Sequence, residues 1–531
     1  MTVDIDPVEL EILRRQLEGV AEEMGRTLIR GAYSPNIKER RDASTAIFDT
    51  DGRLIAQAEH IPVHLGAMPD AVAAVIERED EVGATYIVND PYHGGSHLPD
   101  VTIVGPLIVD GDHLGYGASR AHWADIGGPI PGGLAAEAET IFAEGVRLPP
   151  TAIARDGELD EGVVELLMSN LRQPTLRRAD LEAQLGALAV ARHRMGELAD
   201  EHGNQLLSRA FDAVIEYARR RTESAIERLP DGTYEATDHL EAGDDEGTLI
   251  PISTSVTIDG TSVAVDFEET ADQVDGNLNA PPAVAKSAVY FVVRCLTDPD
   301  IPSNHGCYAP VDISIPTGSL LDPTPPAAVS GGNVETSQRV VDVLLAAFRD
   351  ADSSLPAHGQ GTMNNVVIGF GDGSTYYETI GGGAGGTPNR DGSDGIHVGM
   401  TNTRNTPVEA LERAYQIIVE RYGLRPDTGG QGTHRGGLGI ERTLRLEAPA
   451  VVTVLSERRA INPPGANGGE PGALGENRLD DEVVGGKVNR SVDSGAIIQI
   501  LTPGGGGYGD PGDRDQTAIE ADRAGGKMTD T

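Results

Sequence analysis

Apolar residues recur along the chain in two rhythms, and the changes between them mark out its parts. Leu13, Leu17, Val20, Met24 and Leu28 return at helical spacing and form one stripe of an amphipathic helix. Asp6-Pro7-Val8-Glu9 precedes it as a capping box with proline at the first helical position. Ile37 to Gln57 predicts two short strands about the turn Asp49-Thr50-Asp51-Gly52. Ile61 to Gly66 is a loop carrying His64, ahead of a helix near Asp70 to Glu77. Val101 to Val109 and Leu114 to Gly117 flank Asp110-Gly111-Asp112, which predicts a hairpin. Pro129 to Pro150 reads as a loop able to form a flap. Glu158 to Leu229 is helical, broken at Gln173-Pro174, with Leu181, Leu185, Leu188 and Met195 on one face of a long helix. That helix is expected to run on past Gly203 through Leu206, Phe211, Val214 and Tyr217, as a scaffold or a subunit interface. Beyond Pro230-Asp231-Gly232 the period drops to two, predicting strands at Thr233 to His239, Leu249 to Ile258 and Ser262 to Phe267. A buried helix, Ala283 to Leu296, follows, and the remainder is too punctuated by glycine and proline to be parsed by period.

These elements predict an α+β fold of several domains, with long scaffold helices and antiparallel, glycine-rich β-regions. The expected divisions are an N-terminal α+β region at 1–156, a long-helix region at 157–230 and a C-terminal β-rich region at 231–531. Charge narrows the partners. Eighty-three acidic against 42 basic residues leave a net −41, a field that repels nucleic acid and anionic membranes. The acids are spread over the whole sequence, which predicts an acidic surface and a halophilic protein of a salt-rich cytoplasm. No apolar run has the length of a membrane span and the N-terminus lacks a signal-like core, so a cytoplasmic location is expected. Cys295 and Cys307 are too few for a disulfide framework; Cys295, within an apolar helix, is expected in the core, and Cys307 is too loosely placed beside His305 to be a thiolate catalyst.

Chemistry concentrates between Asn89 and Gly128, which holds four of the 13 histidines, His93, His97, His113 and His122, together with Asp90, Asp100 and Asp125. Pro99 keeps the His97–Asp100 pair on a turn, and the hairpin returns His122 beside it. Two imidazoles and a carboxylate converging on one point suit a divalent metal with an open position; the same residues also suit ordinary hydrogen-bonded histidines. His64 is within reach of the same pocket. Lys38, Arg40 and Arg41 form a local basic spot, either a receptor for an anionic substrate group or a solvated patch. Three glycine-rich runs, Gly381–Gly386, Asp427–Gly437 and Pro503–Gly509, read either as cradles for phosphate or carboxylate or as tight turns. None is a P-loop, and neither a nucleophile elbow nor a His-Glu-x-x-His motif is present.

The order of motifs resembles the hydantoinase B/5-oxoprolinase family, which includes the B-type chains of N-methylhydantoinases and relatives in acetone and acetophenone carboxylases. The resemblance runs from about Val8 to Gly526. It rests on Glu39-Arg40-Arg41-Asp42-Ala43-Ser44, Ile61-Pro62-Val63-His64-Leu65-Gly66, Asn89-Asp90-Pro91-Tyr92, His97-Leu98-Pro99-Asp100, Ala121-His122-Trp123-Ala124-Asp125 and Thr502-Pro503-Gly504-Gly505-Gly506-Gly507-Tyr508-Gly509, among others. It implies a B-type subunit that opens a cyclic amide, hydantoin or 5-oxoproline-like, after a larger A-type partner has bound ATP and phosphorylated the substrate. It also implies a divalent metal, Mn, Zn or Fe, on His97, Asp100 and His122. Asp125 or Asp90 would then orient a ligand histidine and His64 would shuttle protons. A carboxylase component of the acetone or acetophenone type is the alternative, and a non-catalytic scaffold for the ATP-binding subunit is a second. Trp123 stands where many relatives carry a further histidine, which removes one possible ligand.

Overall fold

A computed structural model describes residues 5–59, 61–78, 83–155, 157–244 and 246–529. Helix α1, Pro7–Gly31, starts as its capping box predicts, with Asp6 Oδ1 accepting from the Val8 and Glu9 amides at 2.9 and 3.3 Å. After a short turn of helix, α2 (Pro35–Lys38), the chain builds an antiparallel sheet of seven strands in the order β2-β1-β5-β4-β3-β6-β7. Its strands are β1 Ala43–Phe48, β2 Leu54–Glu59, β3 Ala84–Val88, β4 Asp100–Val109, β5 Asp112–His122, β6 Thr151–Arg155 and β7 Glu158–Leu159. Helix α3, Ala67–Arg78, lies on one face, where Met68, Val72 and Val75 pack against Phe48, Val104 and Ala118. The other face takes α1 and α5 (Pro174–His202), which follows α4 (Glu161–Met168); Leu13, Leu17, Val20 and Met24 meet Leu181, Leu188 and Met195 there. Gln184 ties α5 to the sheet by accepting from Trp123 Nε1 at 2.9 Å and donating to the Val101 and Ser119 carbonyls.

Two expectations change. The long helix does not pass Gly203, whose φ of 81° and ψ of 144° end α5 and begin α6, Asn204–Ile226. The Pro129–Pro150 segment is not a free flap: Leu134 and Ile141 are fully buried, and the Ile141 amide donates to the Pro326 carbonyl at 2.8 Å.

Strands β8 (Gly232–Glu241), β9 (Leu249–Asp259), β10 (Ser262–Asp266) and β11 (Val311–Ser314) form a second sheet, packed on helices α7 (Pro282–Leu296) and α9 (Ser337–Arg349). Helix α8, His305–Tyr308, sets Gly306 against the Ile215 carbonyl of α6. Cys295, expected in the core, is exposed at the end of α7, while Cys307 is buried. Two further sheets close over one core: β13-β12-β16-β19 and β14-β15-β20-β17-β18. Their strands are β12 Asn365–Phe370, β13 Thr375–Thr379, β14 Ile417–Leu424, β15 Ile440–Leu446, β16 Ala450–Leu455, β17 Glu476–Leu479, β18 Glu482–Val484, β19 Lys487–Val492 and β20 Ile497–Leu501.

The glycine-rich runs are more than simple tight turns. They lie side by side, backbone on backbone: Gly505 donates to Gly437, Gly437 to Ala384, Gly383 to Pro503 and Gly430 to Gly505, at 2.8–3.0 Å. A Cβ on Gly436 would stand 1.9 Å from the Gly505 carbonyl oxygen, so glycine is required here for close approach. Among the described residues no helix is long and apolar enough to cross a membrane.

Candidate metal centre

The alternation of strand residues assembles the site. In β1, β4 and β5 the side facing α3 is the even-numbered one, shown by Phe48, Val104 and Ala118. Ser44, Asp100, Thr102, Arg120 and His122 therefore share that face. Strand pairing sets Asp100 opposite His122, Thr102 opposite Arg120 and Ser44 opposite Arg120. Asp42, just before β1, accepts the His122 amide on its carbonyl at 3.1 Å and brings its carboxylate to the same end of the sheet. His97 enters from the Pro99 turn, where the Asp100 amide donates to its carbonyl at 3.1 Å. His64 arrives on the 3-10 turn Pro62–His64.

Asp100 lies at the middle of the cluster. Its Oδ2 is 3.1 Å from His97 Nδ1 and 3.5 Å from His64 Nε2, and its Oδ1 is 3.3 Å from His122 Nδ1. Asp42 Oδ2 is 4.0 Å from His122 Nδ1. All five residues are buried, at 3% exposure or less. The ligand atoms of His97, Asp100 and His122 lie within 4.8 Å of one another, and so do those of Asp42, His64 and Asp100.

The hydrogen bonding of this set fits a metal ion. Both ring nitrogens of His97, Nε2 of His64 and Oδ1 of Asp42 are shut from solvent without a hydrogen-bond partner. His97 Nδ1 is close to Asp100 but misaligned for a hydrogen bond, so the short distance does not satisfy it. Buried polar atoms left unpaired cost roughly 1–3 kcal/mol each, and several aimed at one point are the mark of a ligand-ready site. Protonation agrees: burial holds His97 below the ordinary histidine range, leaving a neutral imidazole. Burial alone would raise Asp100, but the imidazoles of His97, His64 and His122 around it outweigh it and hold the carboxylate well below its usual range. Two imidazoles and one carboxylate are a donor set for divalent Mn, Fe or Zn.

Surrounding groups fix the ligands. Ser96 Oγ donates to Asp100 Oδ2 at 2.6 Å, and Ser44 Oγ is 2.9 Å from His64 Nδ1. Arg120 is fully buried; Nε donates to Thr102 Oγ1 at 2.7 Å, one Nη donates to the Ala67 carbonyl, and the other has no partner. Burial lowers this guanidinium to about 10. Tyr377 of β13 stacks on His122 with ring centroids 4.8 Å apart.

The remaining predicted residues sit elsewhere. Asp125 accepts from the Gly127, Gly132 and Arg172 amides and pairs with the Arg172 side chain at 2.9 Å. Asp90 caps the Tyr92 amide and pairs with His93 at 2.9 Å. Each carboxylate is engaged in its own loop, whereas Ser44, Ser96 and Asp42 contact the histidine–aspartate cluster itself. His113 hydrogen-bonds the Gly115 carbonyl at 2.9 Å, away from the cluster. Of the basic spot, only Arg40 turns inward, beneath Tyr377. Asp42 and Tyr377 had no local signal: Asp42 is recognisable only once β1 is known to pair with β5.

A cleft of about 610 Å³ lies between α7, α9 and the glycine-rich runs, with Pro62, two residues before His64, in its wall; the five cluster residues themselves do not line it. A second acidic grouping, Asp238, Asp342 and His358, is no rival metal site, because Arg339 and Arg458 already occupy both carboxylates.

Comparison with known proteins fits this architecture. The profile described as Hydantoinase B/oxoprolinase matches residues 6–511. 5-Oxoprolinase 1 of Arabidopsis thaliana is 40% identical over 95% of this chain, which spans only 42% of that protein's length. A B-type D-/L-hydantoinase chain of a Pseudomonas species is 29% identical over 99% of this chain and 93% of its own. The crystal structure of an ATP-dependent caprolactamase from Pseudomonas jessenii superposes with a TM-score of 0.91 at 29% identity, covering 99% of this chain and 95% of that one. By profile, sequence and fold together, the chain belongs to the hydantoinase B/oxoprolinase family.

Proposed function

We propose that the chain is the B-type subunit of an ATP-dependent amidohydrolase that opens a cyclic amide, a hydantoin or a 5-oxoproline-like ring, together with a separate ATP-binding A-type subunit. One observation carries the reading: a buried set of three histidines and two aspartates whose unpaired atoms converge, in a family with an ATP-dependent caprolactamase and 5-oxoprolinases among its members. A divalent ion would be held by His97, Asp100 and His122, with Asp42 and His64 at hand, and would supply Lewis-acid polarisation and activation of water.

The chain's own residues do the rest. His64, whose Nδ1 is 2.9 Å from Ser44 Oγ, turns Nε2 toward the centre and can accept a proton there during ring opening. Arg120 adds positive charge on the same face, suited to the oxygen of an activated amide. Burial keeps bulk water from the reacting atoms. Without a phosphate-binding loop of its own, the chain depends on the partner for ATP, which also argues for the cytoplasm as its compartment.

Co-purification with a candidate A-type subunit, followed by assays of hydantoins, 5-oxoproline, lactams and ketones with ATP and labelled bicarbonate, tests this. The expected result is ATP-dependent ring opening without label uptake, abolished in His97→Ala and His122→Ala. Label in the product would identify a carboxylase instead. Full activity in both variants would reduce the role of this chain to that of a scaffold.

A further inference from the structure

We infer that Tyr377, Asn365 and Glu335 form a positioning chain that fixes the plane of His122, so that metal-binding geometry on the N-terminal sheet is set by the C-terminal region. The inference rests on the metal reading above. Tyr377 and His122 stack with planes 13° from parallel, and the Arg40 guanidinium carbon lies 4.6 Å from the same Tyr377 centroid. Both groups therefore lie against the phenol ring, which links them. Arg40 is itself anchored by donating to the Tyr377 carbonyl at 2.6 Å and to Thr379 Oγ1 at 2.8 Å.

The far end of the ring is tethered as well. Tyr377 Oη donates to Asn365 Oδ1 at 2.9 Å. The amide of Asn365 has one sensible orientation, because its Nδ2 donates to Glu335 Oε1 at 2.9 Å and to the Leu455 carbonyl at 3.2 Å. Turned over, it would set an oxygen against two acceptors and leave the tyrosine without one. Glu335 is fully buried on a π-helical turn, Gly332–Thr336, at the entry to α9. Such turns are rare and occur mostly at functional sites. Its Oε1 also accepts the Met363 amide at 3.3 Å, whereas Oε2 has no partner. Burial, reinforced by the Glu457 carboxylate, pushes Glu335 to about 8, which places a proton on Oε2 and leaves Oε1 as the acceptor the chain needs.

The consequence falls on His122 Nδ1, which faces both Asp100 and Asp42. A tilt of the imidazole would carry that atom away from the point where the other ligands converge, and useful sites hold such directions within roughly 10–20°.

Calorimetric titration of the metal-free full chain with Mn²⁺ and with Zn²⁺, beside the melting temperature of each apoprotein, tests this. Tyr377→Phe keeps the stacked ring and loses only the tether. It is expected to bind about 10-fold or more weakly, as loss of an outer partner of a ligand does, with a melting temperature lowered by only a few degrees, the cost of leaving Asn365 Oδ1 unpaired. Glu335→Ala should weaken binding similarly, and Glu335→Gln, isosteric with the protonated acid, should restore it. Wild-type affinity in Tyr377→Phe overturns the inference, and equal losses in the Gln and Ala variants overturn the part given to Glu335. A wild-type chain that takes up neither ion overturns the metal reading itself, and this inference with it.

Discussion

A carboxyl group shut away from water must either find partners that favour its charge or keep its proton, and Asp100 and Glu144 take the two courses. Asp100 has three imidazoles within 3.5 Å and stays ionised. Glu144, equally buried, accepts only neutral donors, the Val329 and Ser330 amides at 2.9 and 2.8 Å, and burial pushes it to about 8. In the unfolded chain the same group titrates near 4.5. Between those values the native state binds the extra proton, so stability is full below about pH 4.5 and is lost as pH rises through about 8. At about 1.4 kcal/mol per unit, the loss amounts to a few kcal/mol. Glu144→Gln should match the wild-type urea midpoint near pH 5 and exceed it near pH 9; a constant offset across that range would contradict this. At this scale the sequence discloses residues that are close along the chain. His97, Asp100 and His122 are joined by one turn and one hairpin, so their meeting was readable. Asp42 and Glu144 owe their roles to partners brought in by strand pairing and by a distant loop, and neither leaves a trace in local spacing.

Among the elements, amphipathic helices and the β4–β5 hairpin follow their periodicity because each needs only one buried face. The glycine-rich runs do not, since their order comes from one another: Gly504 would place a Cβ 1.8 Å from the Thr428 carbonyl oxygen, and Gly505 one 2.0 Å from that of Ala384. These are segments far apart in sequence that stack as bare backbone, an arrangement no periodicity reports. Their packing makes a sharp contrast with Gly186, which lies in α5 with nothing within 4 Å of a built Cβ. Gly505→Ala is expected to destabilise by about 3 kcal/mol or more, the upper range for overpacking. Gly186→Ala should be neutral or stabilising by up to about 1 kcal/mol, the helix-propensity gain. Chemical denaturation of the two variants side by side separates these, and equal effects would mean that the glycine bundle yields without strain.

Over the whole molecule, the sequence showed that the chain is built of several β-rich parts, but not that the histidine–aspartate cluster is roofed by one part upon another. Tyr377 reaches His122 from a sheet formed late in the chain, and only the assembled fold unites them. Net charge, by contrast, is a whole-molecule property that composition states outright, and −41 has an energetic consequence independent of any single contact. Many surface arginines are paired, as Arg178 is with Glu161 and Glu182, but both partners of such pairs are well exposed and each contributes little. What remains is mutual repulsion among an excess of acids, felt over a Debye length of about 10 Å at 0.1 M salt and cut to about 3 Å at 1 M. Repulsion of that range destabilises the compact state more than the expanded one, because folding brings the charges together. The melting temperature should therefore climb by several degrees as KCl is raised from about 0.05 M to about 1 M, then flatten once screening is complete. NaCl at equal ionic strength should give the same curve, which distinguishes screening from an ion-specific effect. A melting temperature that holds steady or falls over this range would show that the acids are compensated in the folded protein and that no adaptation to salt is written in its composition.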